Sequence, residues 1–304
     1  MAIRKTVITG ATGMIGATLA KIAVDKGIEV LCLVRKDSGR INNLPQSDLI
    51  NIEYCDIDEY RSFSRDGCYD AFYHFAWGGT NGATRDDVDL QMANIQYTLD
   101  AVRLANRLGC RKFIGAGSQA EYGVVSEPLG PETPVNPKSA YGIAKYTAGK
   151  LSGLLCTRIG MQFNWVRILS VFGPLDGAHT LIMYAINELR AGRSPELTRC
   201  GQIWDYLYCD DSAKAFLAIG EKGINGKTYP LGAGNKRKLS DYLESLRDII
   251  APGATLLAGK KEYYPHQPMY LCADISELTN DTGWKPEISF EDGVRSMNNC
   301  SIKP

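Results

Sequence analysis

Short, dense apolar runs alternate with longer amphipathic stretches through the first half of the chain. Thr6-Val7-Ile8-Thr9 leads into a helical pattern over residues 14–26, and Val30-Leu31-Cys32-Leu33-Val34 follows as a second strand. Ile52-Glu53-Tyr54-Cys55 and Ala71-Phe72-Tyr73-His74-Phe75 read as a third and a fourth. A long helix is expected over 86–108, a strand over 112–116, a helix over 140–159 and a strand over 164–167. Strands this apolar, separated by helices, predict a parallel sheet covered on both faces. The pattern loosens after Gly173-Pro174. Residues 178–193 read as a helix leaving the sheet, whereas Tyr206-Leu207-Tyr208 and a helix over 212–221 read as returning to it. The tail carries Pro252-Gly253 and Pro265, then an expected strand Met269-Tyr270-Leu271. The fold class is therefore α/β. A doubly wound parallel sheet is expected over 1–173, with 206–234 returning to it, and a smaller α+β unit over 174–304.

Gly10-Ala11-Thr12-Gly13-Met14-Ile15-Gly16 lies between the first strand and the first helix. A glycine cluster alone marks only a turn. Between a strand and a helix, each glycine has its own mechanical role. One allows a tight turn, one lets the backbone approach a pyrophosphate, and one lets the helix pack close to the strand. Free amides and the helix dipole then stabilise a diphosphate. Gly10, Thr12, Gly13, Met14, Ile15 and Gly16 thus predict a Rossmann-type dinucleotide site. An NAD site would place Asp or Glu after the second strand to accept from the ribose 2′-hydroxyl. Here Arg35 and Lys36 stand there, which favours a 2′-phosphate and NADP(H) over NAD. Asp56-Ile57, after the third strand, is placed to meet the adenine.

Composition narrows the partners. Lys+Arg and Asp+Glu are 34 each, so no net charge favours a nucleic acid or an anionic membrane. Nine cysteines without a Cys-x-x-Cys pair, and three histidines, argue against a structural zinc and a disulfide framework. No metal is expected. No stretch is long and apolar enough to span a bilayer, and no apolar signal region opens the chain, so a cytoplasmic protein is expected.

Tyr141 and Lys145 are four residues apart on one helix face. A phenol, with an ordinary pKa of about 10, is a poor acid at neutral pH. A neighbouring ammonium favours the phenolate, so the pair can exchange a proton with a carbinol oxygen while a nicotinamide exchanges the hydride. Ser118, closing the fifth strand, can hold the same oxygen.

Taken together, these segments resemble the extended short-chain dehydrogenase/reductase family in its nucleotide-sugar branch, over nearly the whole chain. The resemblance rests on the Gly10–Gly16 turn, His74-Phe75-Ala76, Asn94 with Thr98, Ser118 through Tyr122-Gly123, Tyr141 with Lys145, Arg167 through Gly173-Pro174, and Ala273-Asp274-Ile275-Ser276 through Gly283-Trp284-Lys285-Pro286. It implies that Tyr141 is the acid/base, that Lys145 tunes it and contacts the nicotinamide ribose, and that Ser118 orients the sugar oxygen. It places Phe75, Ala76 and Asn94 with the cofactor, and Trp77, Ser118, Gln119 and Trp204 with a nucleotide-sugar substrate. It also implies a homodimer through the helices over 86–108 and 140–159. One departure stands out: Trp204 occupies the place of the Arg that commonly meets the substrate diphosphate. Arg193, Arg199 or Lys236 would have to supply the missing cation, or Trp204 would stack on a base or sugar face.

The expectation is an NADP(H)-dependent reductase acting on the C4 ketone of a nucleotide-linked deoxysugar. A 4-epimerase with tightly held NAD would use the same residues. A dehydratase would want an Asp-Glu pair where Gln119-Ala120 stand. A non-catalytic NADP-sensing or RNA-binding module is the alternative from another class.

Overall fold

A computed structural model describes residues 2–263 and 267–299. The chain runs β1 (Lys5–Thr9), α1 (Met14–Asp25), β2 (Glu29–Val34), β3 (Ile50–Tyr54), β4 (Ala71–His74), α2 (Val88–Arg107), β5 (Lys112–Ser118), α3 (Ala140–Ile159), β6 (Gln162–Ile168), β7 (Ser170–Phe172), α4 (Leu181–Arg190), β8 (Ile203–Trp204), β9 (Tyr206–Tyr208), α5 (Cys209–Lys222), β10 (Thr228–Leu231), β11 (Arg237–Lys238), α6 (Leu239–Ile250), α7 (Ser276–Thr282) and α8 (Phe290–Asn299). Among the described residues no helix is long and apolar enough to cross a membrane.

Seven strands form one parallel sheet in the order β10-β6-β5-β4-β1-β2-β3. Successive side chains of a strand face opposite ways, and both directions are apolar here. Ile8, Cys32, Tyr73 and Val166 pack with Leu19 and Ala20 of α1 and Phe216 of α5. Val7, Leu31, Phe72 and Trp165 pack with Leu104 of α2 and Ala148 of α3. The strand order reverses between β1 and β4, and ligands of such sheets bind in the crevice at that switch, beyond the carboxyl ends of the strands.

Two tertiary pins fix the far layer. Lys112, buried in β5, donates from Nζ to the carbonyls of Ile219 and Gly223, both at 2.7 Å, where α5 ends. A cation there complements the helix dipole, and burial lowers its pKa to about 8. Asp205, also buried, accepts from the amides of Ala233, Gly234 and Ala273, tying the end of β10 to the tail.

A further apolar cluster gathers Phe172, Ile186, Tyr208, Tyr242, Leu246 and Phe290. One expectation needs correction here. Residues 206–208 do not return to the large sheet; they pair with β7 in a separate two-stranded ribbon, and β10 takes the sheet edge beside β6. The helix after them does return, packing α5 on α1. The strand expected at 269–271 is reduced to an isolated bridge from Ile203 to Tyr270. Pro265 lies outside the described residues.

Candidate active site

The turn from β1 into α1 is built by close approach. Gly10 adopts φ +66°, a backbone that L side chains rarely take. A Cβ on Gly16 would lie 2.4 Å from the Gly10 carbonyl oxygen, so only glycine lets α1 start this near the strand. Gly13 is different: a Cβ there would meet only that same oxygen, at 3.3 Å, and otherwise open space. It caps α1 without a side-chain hydrogen bond, leaving the first-turn amides available to an anion. These features fit a dinucleotide diphosphate. Gly16→Ala is expected to destabilise the fold by about 1–3 kcal/mol through overpacking. A melting temperature equal to that of the parent would contradict this reading of the turn.

The cavity beyond these strand ends has a volume of about 430 Å³. Gly10, Gly13, Met14, Ile15 and Gly16 line it on one side, with Phe75, Trp77, Ser118, Gln119, Tyr141 and Lys145 around the rest. The sequence therefore anticipates most of its wall. It does not anticipate Thr80, Arg85, Ile168 or Leu169, which line it as well.

Helix α3 delivers Tyr141 and Lys145. Ser139 caps it, accepting from the Gly142 amide at 3.1 Å, and Gly160 ends it in the left-handed region at φ +73°. Both side chains are buried. Lys145 Nζ donates to the Ala116 carbonyl at 2.7 Å and lies 3.8 Å from the centroid of the Trp77 ring. Burial lowers the Lys145 pKa to about 7, with Glu121 opposing. Tyr141 is shifted upward by burial, against a hydrogen bond with Ser118 and the charge of Arg85, both of which lower it. The Trp77 ring meets that of Tyr141 edge-on, with centroids 6.0 Å apart, and its indole donates to Gln91 at 2.9 Å. His74, enclosed behind the site, hydrogen-bonds through Nδ1 with the Thr9 hydroxyl at 2.8 Å, and burial drives its pKa to about 3. Burial thus favours its neutral form.

Ser118 is held by its own turn. Glu121 accepts from the Ser118 amide at 2.9 Å and from the Trp165 indole at 2.9 Å, and its second oxygen accepts from Arg167 Nε at 2.8 Å. Both members of this ion pair are buried.

The remaining expected residues lie elsewhere. Arg35 is exposed, with Asp37 at 3.9 Å. Lys36 pairs with Glu59, which raises the pKa of the lysine. The Lys36 amide donates to Asp56 Oδ1 at 3.1 Å. Lys36, Tyr54, Cys55, Glu59, Ser62 and Phe63 line a second hollow of about 220 Å³ there. Ile57 and Ala76 pack on the core face shared with α2. Thr12 accepts at its carbonyl from Asn43 Nδ2, 2.9 Å away. Asn94 is buried, and its amide accepts from the Gly78 N–H and donates to the Gly78 carbonyl, so it shapes the turn after β4. Trp204 is half-buried and donates to the Ser170 hydroxyl at 2.8 Å; it does not line the 430 Å³ cavity. Among the described residues no group of His, Cys, Asp and Glu is placed to hold a metal.

A family model described as the NAD dependent epimerase/dehydratase family matches residues 6–232. UDP-glucuronate 4-epimerase of Thermodesulfobacterium geofontis is 25% identical over 312 residues, covering 97% of this chain and 95% of that one. The solved UDP-N-acetylglucosamine 4-epimerase of Methanobrevibacter ruminantium, in complex with UDP-N-acetylmuramic acid, superposes with a TM-score of 0.88 at 22% identity and 98% coverage of both chains. RMD from Pseudomonas aeruginosa complexed with NADPH superposes at 0.80, with 19% identity and 97% coverage of both.

Proposed function

Because the chain belongs to the NAD dependent epimerase/dehydratase family, we propose that it is an NADP(H)-dependent oxidoreductase reducing the C4 ketone of a nucleotide-linked 4-keto-6-deoxyhexose. A reduced nicotinamide held beside Phe75, Tyr141 and Lys145 would supply a hydride to the sugar carbon. Tyr141 gives its phenolic proton to the ketone oxygen, and Ser118 donates a hydrogen bond to that oxygen. Lys145 sits one turn along α3, where its ammonium favours departure of the proton. Gly13 and the first-turn amides of α1 would hold the cofactor diphosphate.

The observation carrying the cofactor preference is Arg35, the residue directly after β2, which among the described residues meets no acceptor nearer than Asp37 at 3.9 Å. A guanidinium suits a 2′-phosphate and cannot accept from a ribose hydroxyl. Similar solved structures are complexed with NADPH or with NAD, so the choice rests on Arg35 itself. Replacing Arg35 with Asp is expected to lower kcat/KM for NADPH on the order of tenfold or more and to spare or raise it for NADH. Steady-state rates with both nucleotides check this, and an unchanged ratio returns the preference to NAD.

A 4-epimerase is the second reading. It is favoured by the Lys36–Glu59 pair, which removes one cation from the 2′-phosphate, and by relatives named as 4-epimerases. Denaturing the purified protein and identifying any released nucleotide separates the two. NADPH should then be offered with a panel of 4-keto-6-deoxy sugar nucleotides. Stoichiometric NADPH oxidation supports the reductase, while retained NAD and hexose interconversion without net oxidation support the epimerase.

The assembly proposed is a homodimer through α2 and α3. Val88 and Met92 on α2, and Ile143, Leu151 and Leu154 on α3, are exposed apolar side chains on two helices that pack together.

A further inference from the structure

The turn between β4 and α2 carries a charge that the proton chemistry above leaves unused. Arg85 lines the cavity, and its guanidinium carbon lies 4.3 Å from the centroid of the Tyr141 ring. Its Nη1 donates to the Thr80 carbonyl at 3.1 Å. Asp86 and Asp87 follow it directly, yet both carboxylates are turned to helix starts. Asp86 accepts from the Ala140 amide of α3 at 3.0 Å, and Asp87 from the Leu90 amide of α2 at 3.1 Å. Among the described residues no carboxylate forms an ion pair with Arg85. Capping two helices with its neighbours leaves the arginine facing the phenol.

We propose that Arg85 is a positioning residue for the reaction, holding a fixed positive charge against Tyr141 that favours release of the phenolic proton and stabilises the phenolate left behind. The inference rests on Tyr141 as the acid/base of the proposed function. Among the described residues three charged groups act on Tyr141. Lys145 lies one turn along α3, Arg85 on the β4–α2 turn, and Glu121 on the turn after β5, where Arg167 neutralises it. Burial lowers the Lys145 pKa to about 7, so in the unliganded site its ammonium fades at and above neutrality. A guanidinium keeps its charge throughout that range. Arg85 therefore supplies a pH-independent field where Lys145 supplies a pH-dependent one. At this separation, with partial solvent screening, the charge is worth about one pH unit in the titration of the phenol.

The test compares the parent protein with Arg85→Met and Arg85→Lys, each labelled with 13Cζ-tyrosine and saturated with NADP+ or NAD+, whichever binds. The Tyr141 signal is identified by its absence in Tyr141→Phe. Tyr141 is expected to titrate about one pH unit higher in Arg85→Met, and Arg85→Lys is expected to recover at least half of that shift. The protonated phenol is the acid during reduction, so the alkaline limb of the kcat/KM profile should move upward by the same amount. Nucleotide affinity should stay within about threefold, a change of less than 0.7 kcal/mol. Titration of Arg85→Met within about 0.3 pH unit of the parent overturns the proposal. So does an equal shift in Arg85→Lys, or a parent Tyr141 that remains protonated to pH 11. A shifted titration without ketone reduction leaves the role of Arg85 standing and removes the reductase. Reduction with an unmoved titration does the reverse.

Discussion

Replacing Tyr141 with Phe should reduce kcat by about a thousandfold while leaving nucleotide binding within a few fold of the parent. A positioned acid or base typically contributes 10²–10⁴ in rate, and the substitution removes the only atom that carries the transferred proton. It keeps the ring, so the edge-on contact with Trp77 and the stacking of Arg85 have the same surface to meet. The hydrogen bond with Ser118 is lost, but that is one contact in a wall that Met14, Ile15 and Phe75 still form. Single-turnover NADPH oxidation, alongside a fluorescence titration of the nucleotide, separates chemistry from binding. Turnover within tenfold of the parent would sink the assignment of Tyr141 as the acid, and with it the role given to Lys145.

The second large effect falls on stability. Glu121→Ala should destabilise the protein by about 3–5 kcal/mol, because it leaves the buried Arg167 charge uncompensated. The Ser118 amide and the Trp165 indole lose their acceptor in the same step. In a chain of this length that corresponds to a fall of about 5–8 °C in melting temperature. Pairing the change with Arg167→Met should recover more than half of the loss, since two apolar groups of similar bulk are tolerated where a single unpaired charge is not. A single variant that melts within 2 °C of the parent would show that the pair adds little. Kinetics of the rescued double variant then report a separate quantity: how much Ser118 depends on the carboxylate beneath it.

The physics of a two-sided sheet makes the first half of the chain easy to read. Strands covered on both faces must be apolar throughout, so β1, β2, β4, β5 and β6 announce themselves. The edge strand β10 does not. Thr228–Leu231 spans four residues and contains Pro230, which cannot donate to a ladder and is tolerated only because β10 has a single partner. Residues 206–208 show the opposite failure. Their apolar density suits the large sheet, and nothing local reveals that Ser170–Phe172 will claim them. In the site, Tyr141 and Lys145 are legible because helical spacing alone puts them on one face. Glu121 is within reach of the sequence, since Ser118 followed three residues later by Glu is the pattern of a capping box. Arg85 is not, because a single arginine among Thr84, Asp86 and Asp87 reads as solvated loop. Only the helix starts that occupy both aspartates turn it toward the phenol. Trp204 is the converse case, a conspicuous aromatic that the fold employs to bridge to Ser170 between two apolar clusters.

The late arrival of β10 has a consequence for biosynthesis. A ribosome delivers the chain from its N-terminus, so β1 through β6 emerge well before Thr228–Leu231. Until residue 231 is free of the exit tunnel, β6 has an unpaired edge bearing Phe163 and Trp165, the kind of edge that recruits strands from other nascent chains. Residues 1–173 therefore do not carry the whole sheet: the strand that covers the β6 edge comes only after α4 and the β7–β9 ribbon. Slower translation between residues 173 and 231 is expected to leave that edge uncovered for longer and to increase aggregation of the nascent chain.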